Sequence, residues 1–73
     1  MNLSELQRGQ QARIKQVKDG ELMLKLFEMG VLPGETVVLE NIAPFGDPIA
    51  VMVGEYKLCI RLNDAANIDI ELS

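Results

Sequence analysis

The spacing of apolar and polar positions changes character along the chain. "LSELQRG", residues 3–9, reads as one helical turn. Ser4 stands where a cap would, Gln7 follows three residues on at capping-box spacing, and Gly9 ends the turn. "QARIKQV" then alternates, with Ala12 and Ile14 on one side and Arg13 and Lys15 on the other, which predicts a half-buried strand. "KDGELMLKLFEMG" switches to helical spacing. At about 100° per residue, Leu22, Leu26 and Met29 share one face. Met23 and Phe27 lie beside them, Leu24 further round, and Glu21, Lys25 and Glu28 on the remaining arc. The apolar arc covers about 220°, roughly double the stripe that a surface helix needs.

The stretch "MGVLPGE" must leave that helix, reverse and enter a strand within a few residues. Gly30 can take the left-handed conformation that ends a helix, and Pro33-Gly34 supplies the two central residues of a type II turn. "ETVVLENI" predicts a strand with apolar residues on both faces, Val37 and Leu39 against Val38 and Ile42. "APFGDP" is a turn with Pro44 at its second position and Gly46 at its fourth. "IAVMV", a tight "GE" connection and "YKLCIRL" form a hairpin, its return strand pointing Leu58, Ile60 and Leu62 inward. "NDAAN" predicts a short helical turn capped by Asn63. "IDIEL" closes the chain with Ile68, Ile70 and Leu72 inward and Asp69 and Glu71 outward. The sum is mainly β: one domain over residues 1–73, five strands, and one α-helix after the first. So few strands need closure to hide their edges, which a small, strongly bent barrel or a pair of orthogonal sheets provides.

Composition narrows the chemistry. A chain of 73 residues buries only about 60% of the surface its unfolded form exposes. Cys59 is the single cysteine, so no intrachain disulfide helps; with no apolar run at "MNLSELQRGQ", this predicts a reducing, cytoplasmic setting. No stretch approaches the roughly 20 apolar residues of a membrane span, so direct membrane insertion is not expected. A net charge of −4 with seven scattered Lys and Arg residues disfavours nucleic acid and anionic membrane alike. There is no histidine, which removes the usual general base and the commonest metal ligand. Cys59 reads as a packing residue. "MGVLPG" lacks the spacing and the lysine of a phosphate loop. Glu28, Asp47, Asp64 and Asp69 are the carboxylates to consider for a cation, and none stands at ligand spacing to another. No cofactor is expected, and a transition metal ion would be held weakly by oxygen alone. An enzyme is not expected.

What remains is surface. Leu22, Leu26 and Met29 are expected to face the core, leaving Met23, Leu24 and Phe27 available to a partner protein. Phe45, at the tip of "APFGDP", is a second candidate, either folded back or offered outward. A weak homo-oligomer is left open.

From Leu26 to Leu72 the motifs resemble those of the FeoA family, small cytoplasmic components of bacterial ferrous iron uptake. The resemblance rests on Met29-Gly30, then Pro33-Gly34, then a strand, then Ala43-Pro44 and Gly46-Asp47-Pro48 at this distance, followed by Arg61-Leu62, Ala65, Ile68 and Ile70. It covers essentially the whole chain and implies an SH3-like barrel. It also implies an accessory or regulatory role beside FeoB, the membrane ferrous iron transporter, with FeoB as partner. A similar module forms the C-terminal domain of iron-dependent repressors, so a metal-responsive regulatory module is the alternative. The expected contact surface is the outer flank of the helix (Met23, Leu24, Phe27), with the Gly30, Pro33 and Gly34 junction and the Pro44, Phe45 and Asp47 loop adjoining.

Overall fold

Alternation makes the first strand, β1 (Gln11–Val17), bury Ala12 and Ile14 while Arg13 and Lys15 face water. The computed structural model describes residues 1–72; Ser73, the last residue of the single domain read from the sequence, lies outside the described residues. After β1 come α1 (Gly20–Glu28), β2 (Thr36–Ile42), β3 (Ile49–Val53), β4 (Tyr56–Ile60), a one-turn α2 (Leu62–Ala65) and β5 (Ile68–Leu72). All strand pairs are antiparallel, in the order β4-β3-β2-β1-β5. The expected barrel is present in open form: β4 and β5 are its edges and are not hydrogen-bonded to each other. The outer side of β5 is covered by the N-terminus, where the Ile70 N–H donates to the Met1 carbonyl at 2.8 Å and Asn2 bridges to Asp69.

Two bulges bend the sheet. In β1 the register against β5 passes from Ile14↔Ile70 to Gln16↔Asp69, leaving Lys15 as the extra residue. In β2 it passes from Leu39↔Val51 to Asn41↔Ala50, leaving Glu40 extra. An extra residue increases local twist and curls the strand. Glu40 then reaches Lys57 of β4, with 3.0 Å between Oε1 and Nζ. The concave face holds Ala12, Ile14, Val37, Leu39, Val51, Ile68 and Ile70, which meet Leu3, Leu22, Leu26 and Ala65 in one core. No charged or polar side chain among the described residues is buried.

The helix begins and ends on specific hydrogen bonds. Asp19 caps it by accepting from the N–H groups of Glu21 and Leu22. At its end Gly30 sits at φ +83°, the Val31 N–H donates to the Leu26 carbonyl at 2.8 Å, and the Gly30 N–H donates to Phe27 at 3.0 Å. That pair of bonds is the Schellman closure. Its companion hydrophobic contact is present too, since Leu26 and Val31 are both core residues. A type II turn follows, with Gly34 at φ +97° and the Glu35 N–H donating to Leu32. The turn is stitched to β1 on both sides. The Gly34 N–H donates to Ile14 at 2.7 Å, and the Ile14 N–H donates to Glu35 at 2.9 Å.

Several sequence expectations are corrected. The first turn is a short 3₁₀ segment, Leu3–Glu5, and its capping box is Asn2 with Glu5 in place of Ser4 with Gln7. Met29 does not face the core: it is the C-cap, 46% exposed, and the Gly30 reversal hands the inward position to Val31. β2 is wet on one face, burying Val37 and Leu39 while Val38 is half-buried. The Glu40 bulge resets the alternation so that Ile42 pairs with buried Ile49, yet at the strand's end it stays exposed. Cys59 is exposed on the outer side of β4 and is not a packing residue. Leu72 is exposed because it ends an edge strand, opposite Ala12 at the sheet corner. α2 begins at Leu62, and its cap is the Asp47 carboxylate, which accepts from the Leu62 N–H at 3.0 Å, in place of Asn63.

Two outcomes are expected. A Cβ on Gly30 meets nothing within 4 Å, so Gly30→Ala carries only the left-handed backbone penalty. It should lower unfolding stability by about 1–2 kcal/mol in a urea titration. The second concerns Lys57, whose pKa is raised above the ordinary 10.5 by its hydrogen bond to Glu40, then by the attraction of the Glu40 charge. A raised folded-state value stabilises the protonated form. The contribution is therefore whole below pH 10.5 and fades as pH climbs through the folded-state value. NMR titration of the Lys57 side chain should show its midpoint falling in Glu40→Gln.

Candidate functional site

Between α1, β1 and the helix-to-strand junction lies an apolar groove of about 580 Å³. Ile14 and Val17 come from β1; Met23, Leu24 and Phe27 come from the outer flank of α1, with Leu26 behind them; Val31, Leu32 and Pro33 come from the junction. No charged or hydrogen-bonding side chain lines it. Each contributor is placed by local chemistry. The β1 residues alternate out of the strand, the helix residues follow from the 3.6-residue repeat, and the junction residues are held by the Schellman bonds and the stitched turn.

The helix stands partly off the sheet. Leu22 and Leu26 are its only buried residues. Met23, Leu24 and Phe27 are 48%, 59% and 63% exposed. Three neighbouring large apolar side chains in water form a patch of the kind that marks an interaction site. The structure thus brings Met23, Leu24, Phe27 and Pro33 to one groove, with Gly30 and Gly34 setting the path of the wall.

The second expected group does not adjoin the first. Pro44, Phe45 and Asp47 sit in the β2–β3 loop, beyond Ile42, whereas Pro33 and Gly34 precede Thr36 at the other end of the same strand. Seven residues of strand separate them by about 20 Å, and none of the loop residues lines the groove. Pro44 and Asp47 are exposed, and Phe45 is 99% exposed. Asp47 has a structural task as the cap of α2. The loop is held by the Gly46 N–H donating to Ala43 at 2.7 Å and the Ala43 N–H donating to Pro48 at 3.1 Å.

The groove residues missed from the sequence are Ile14, Val17, Gly20, Leu26, Val31 and Leu32. Leu32 was detectable in principle, as an apolar residue ahead of Pro-Gly. Ile14 read only as core, because alternation assigns a side and says nothing of which core residues a groove reaches. Of the carboxylates considered for a cation, Asp47 and Asp64 both lie at the start of α2, while Glu28 ends α1 and Asp69 is 3.8 Å from the N-terminal ammonium. Among the described residues, no three His, Cys, Asp or Glu side chains gather as a cation site. No helix among them is long and apolar enough to cross a membrane.

Comparison with known proteins places these features. A model of the FeoA domain matches residues 1–72. A Porphyromonas gingivalis protein described as an Fe(2+) transport protein A/Fe(2+) transporter FeoB fusion is 38% identical over 73 residues, 99% of this chain. This chain spans only 9% of that fusion protein's length. The solution structure of iron(II) transport protein A from Clostridium thermocellum superposes with a TM-score of 0.90 at 41% identity, over 99% of this chain and 45% of that one. Stenotrophomonas maltophilia FeoA, crystallised in complex with zinc and described as a procaryotic SH3 domain protein, gives a TM-score of 0.84 at 29% identity over 97% of this chain and 89% of that one. T. acidophilum IdeR shares the fold, with a TM-score of 0.84 at 20% identity over 100% of this chain and 34% of that one.

Truncation should separate the wall of the groove from its support. Leu26→Ala removes a buried side chain and should cost about 2–5 kcal/mol. Leu24→Ala, one turn face away in water, should stay within about 0.5 kcal/mol of the parent. Urea unfolding of the two variants measures both.

Proposed function

This chain belongs to the FeoA family, whose setting is ferrous iron transport, and on that premise we propose that it is a noncatalytic accessory protein that docks on the cytoplasmic part of a FeoB-type transporter. The docking surface is the groove of α1 and β1, with Met23, Leu24 and Phe27 as the side chains offered. The observation that carries the reading is this apolar groove, open to water on a helix that commits only Leu22 and Leu26 to the core. The fusion of the two proteins in a relative supports the choice of partner, because a shared chain raises the effective concentration of one module for the other. An apolar, adaptable lining of Met, Leu and Phe suits an amphipathic segment laid into a groove. The pairing would keep the protein on the cytoplasmic side.

The test is a double variant. Leu24→Asp with Phe27→Asp places two charges on the outer flank, which is already hydrated, so the thermal midpoint should move little. Affinity for the purified transporter, measured by calorimetry in detergent, should fall at least about tenfold. Unchanged affinity would remove the groove from the interaction. Loss of folded structure would mean that these side chains support the core.

A further inference from the structure

The molecule carries a second exposed apolar feature, of opposite shape to the groove. Phe45 is 99% exposed, so its ring touches almost nothing of its own chain. The backbone of its loop is nonetheless braced. Pro44 and Pro48 restrict the backbone on either side, the Ala43–Gly46 turn is closed by a 2.7 Å hydrogen bond, and the Asp47 carboxylate is anchored on the Leu62 N–H. A braced loop with an aromatic at its tip is a convex plug. The groove is a concave apolar socket whose volume lies within the roughly 300–1,000 Å³ range of pockets that take organic groups. Plug and socket stand at opposite ends of β2, on a body measuring 28 × 23 × 23 Å, so one molecule cannot fill its own groove.

We propose that Phe45 of one molecule seats in the α1–β1 groove of a second copy, giving a weak head-to-tail association that excludes any other occupant of that groove. The contact is heterologous: the two surfaces differ, so each dimer still presents one free plug and one free socket, and growth continues as a ring or an open series. An interface of one loop tip in one groove is small, which places it among weak, transient contacts. The net charge of −4 on each copy opposes association at low ionic strength, and added salt should strengthen it by screening that repulsion. The interaction needs no transporter, so it stands or falls separately from the docking reading; if both hold, self-association and transporter binding compete.

Sedimentation equilibrium and amide-shift titration of the pure protein against its own concentration test the proposal. The parent should show mass rising beyond a dimer, with shifts at Leu24, Phe27 and Leu32 on one side and Phe45 and Gly46 on the other. Phe45→Ser, which disturbs no packed contact, and the Leu24→Asp/Phe27→Asp double variant should each lose association at least about tenfold. The decisive measurement mixes the two variants. One keeps a socket and the other a plug, so together they should form a one-to-one heterodimer that grows no further. A parent that stays monomeric at the highest soluble concentration would overturn the proposal. So would a Phe45→Ser protein that associates as well as the parent, or a mixture that gives no heterodimer.

Discussion

The N–H of Val31 reaches back to the carbonyl of Leu26, and the whole groove is organised around that bond. It closes the helix, turns Met29 outward, and delivers Val31 to the core in its place. Three residues later the Gly34 N–H joins the carbonyl of Ile14. The segment between is therefore fastened to α1 at one end and to β1 at the other. Leu32 and Pro33 become a wall because neither attachment leaves the chain another path. With no buried polar side chain among the described residues, backbone hydrogen bonds and shape hold this arrangement.

Much of the fold could be read from residue order, since β1, β4 and β5 each carry their own inside-outside code. Ala12 and Ile14, or Ile68 and Ile70, alternate with charges and leave no choice of face. Two errors, at Met29 and Ile42, fall where a backbone irregularity resets the count. Met29 follows the helical repeat perfectly and is still exposed, because the helix stops under it. Ile42 changes face through the Glu40 bulge, and strand spacing alone does not announce a bulge. The sequence marks Asp47 only as part of a loop, and its bond to Leu62 spans 15 positions of sequence, a distance at which no local pattern speaks.

The candidate site was legible in part for a related reason. A helix with an apolar arc of about 220° has more apolar surface than one sheet face covers, and Leu24 and Phe27 follow from that excess. The opposite side of the groove was not legible. Val17 and Leu32 belong to it only because the chain reverses at Gly30 and is pinned at Ile14. The same geometry moved the Phe45 loop to the far end of β2. Proximity in sequence to a well-marked turn carried no information about which end of a strand that turn occupies.

The strand with no polar residue to mark a face is β3. Ile49, Ala50, Val51, Met52 and Val53 are apolar throughout, so a shift by one position would turn Ala50 and Met52 inward at little cost in solvation. In the strands beside it, the same shift would carry Glu40 or Lys57 toward the interior, where an unpaired charge is prohibitive. The alignment of the central ribbon is thus dictated by its neighbours and by the two connections bracketing it, Ala43–Pro48 and Gly54–Glu55. A single residue inserted into the short connection would leave every side chain chemically acceptable and still yield a mis-threaded sheet. In this molecule the loop lengths, more than the hydrophobic content of β3, are the inherited information.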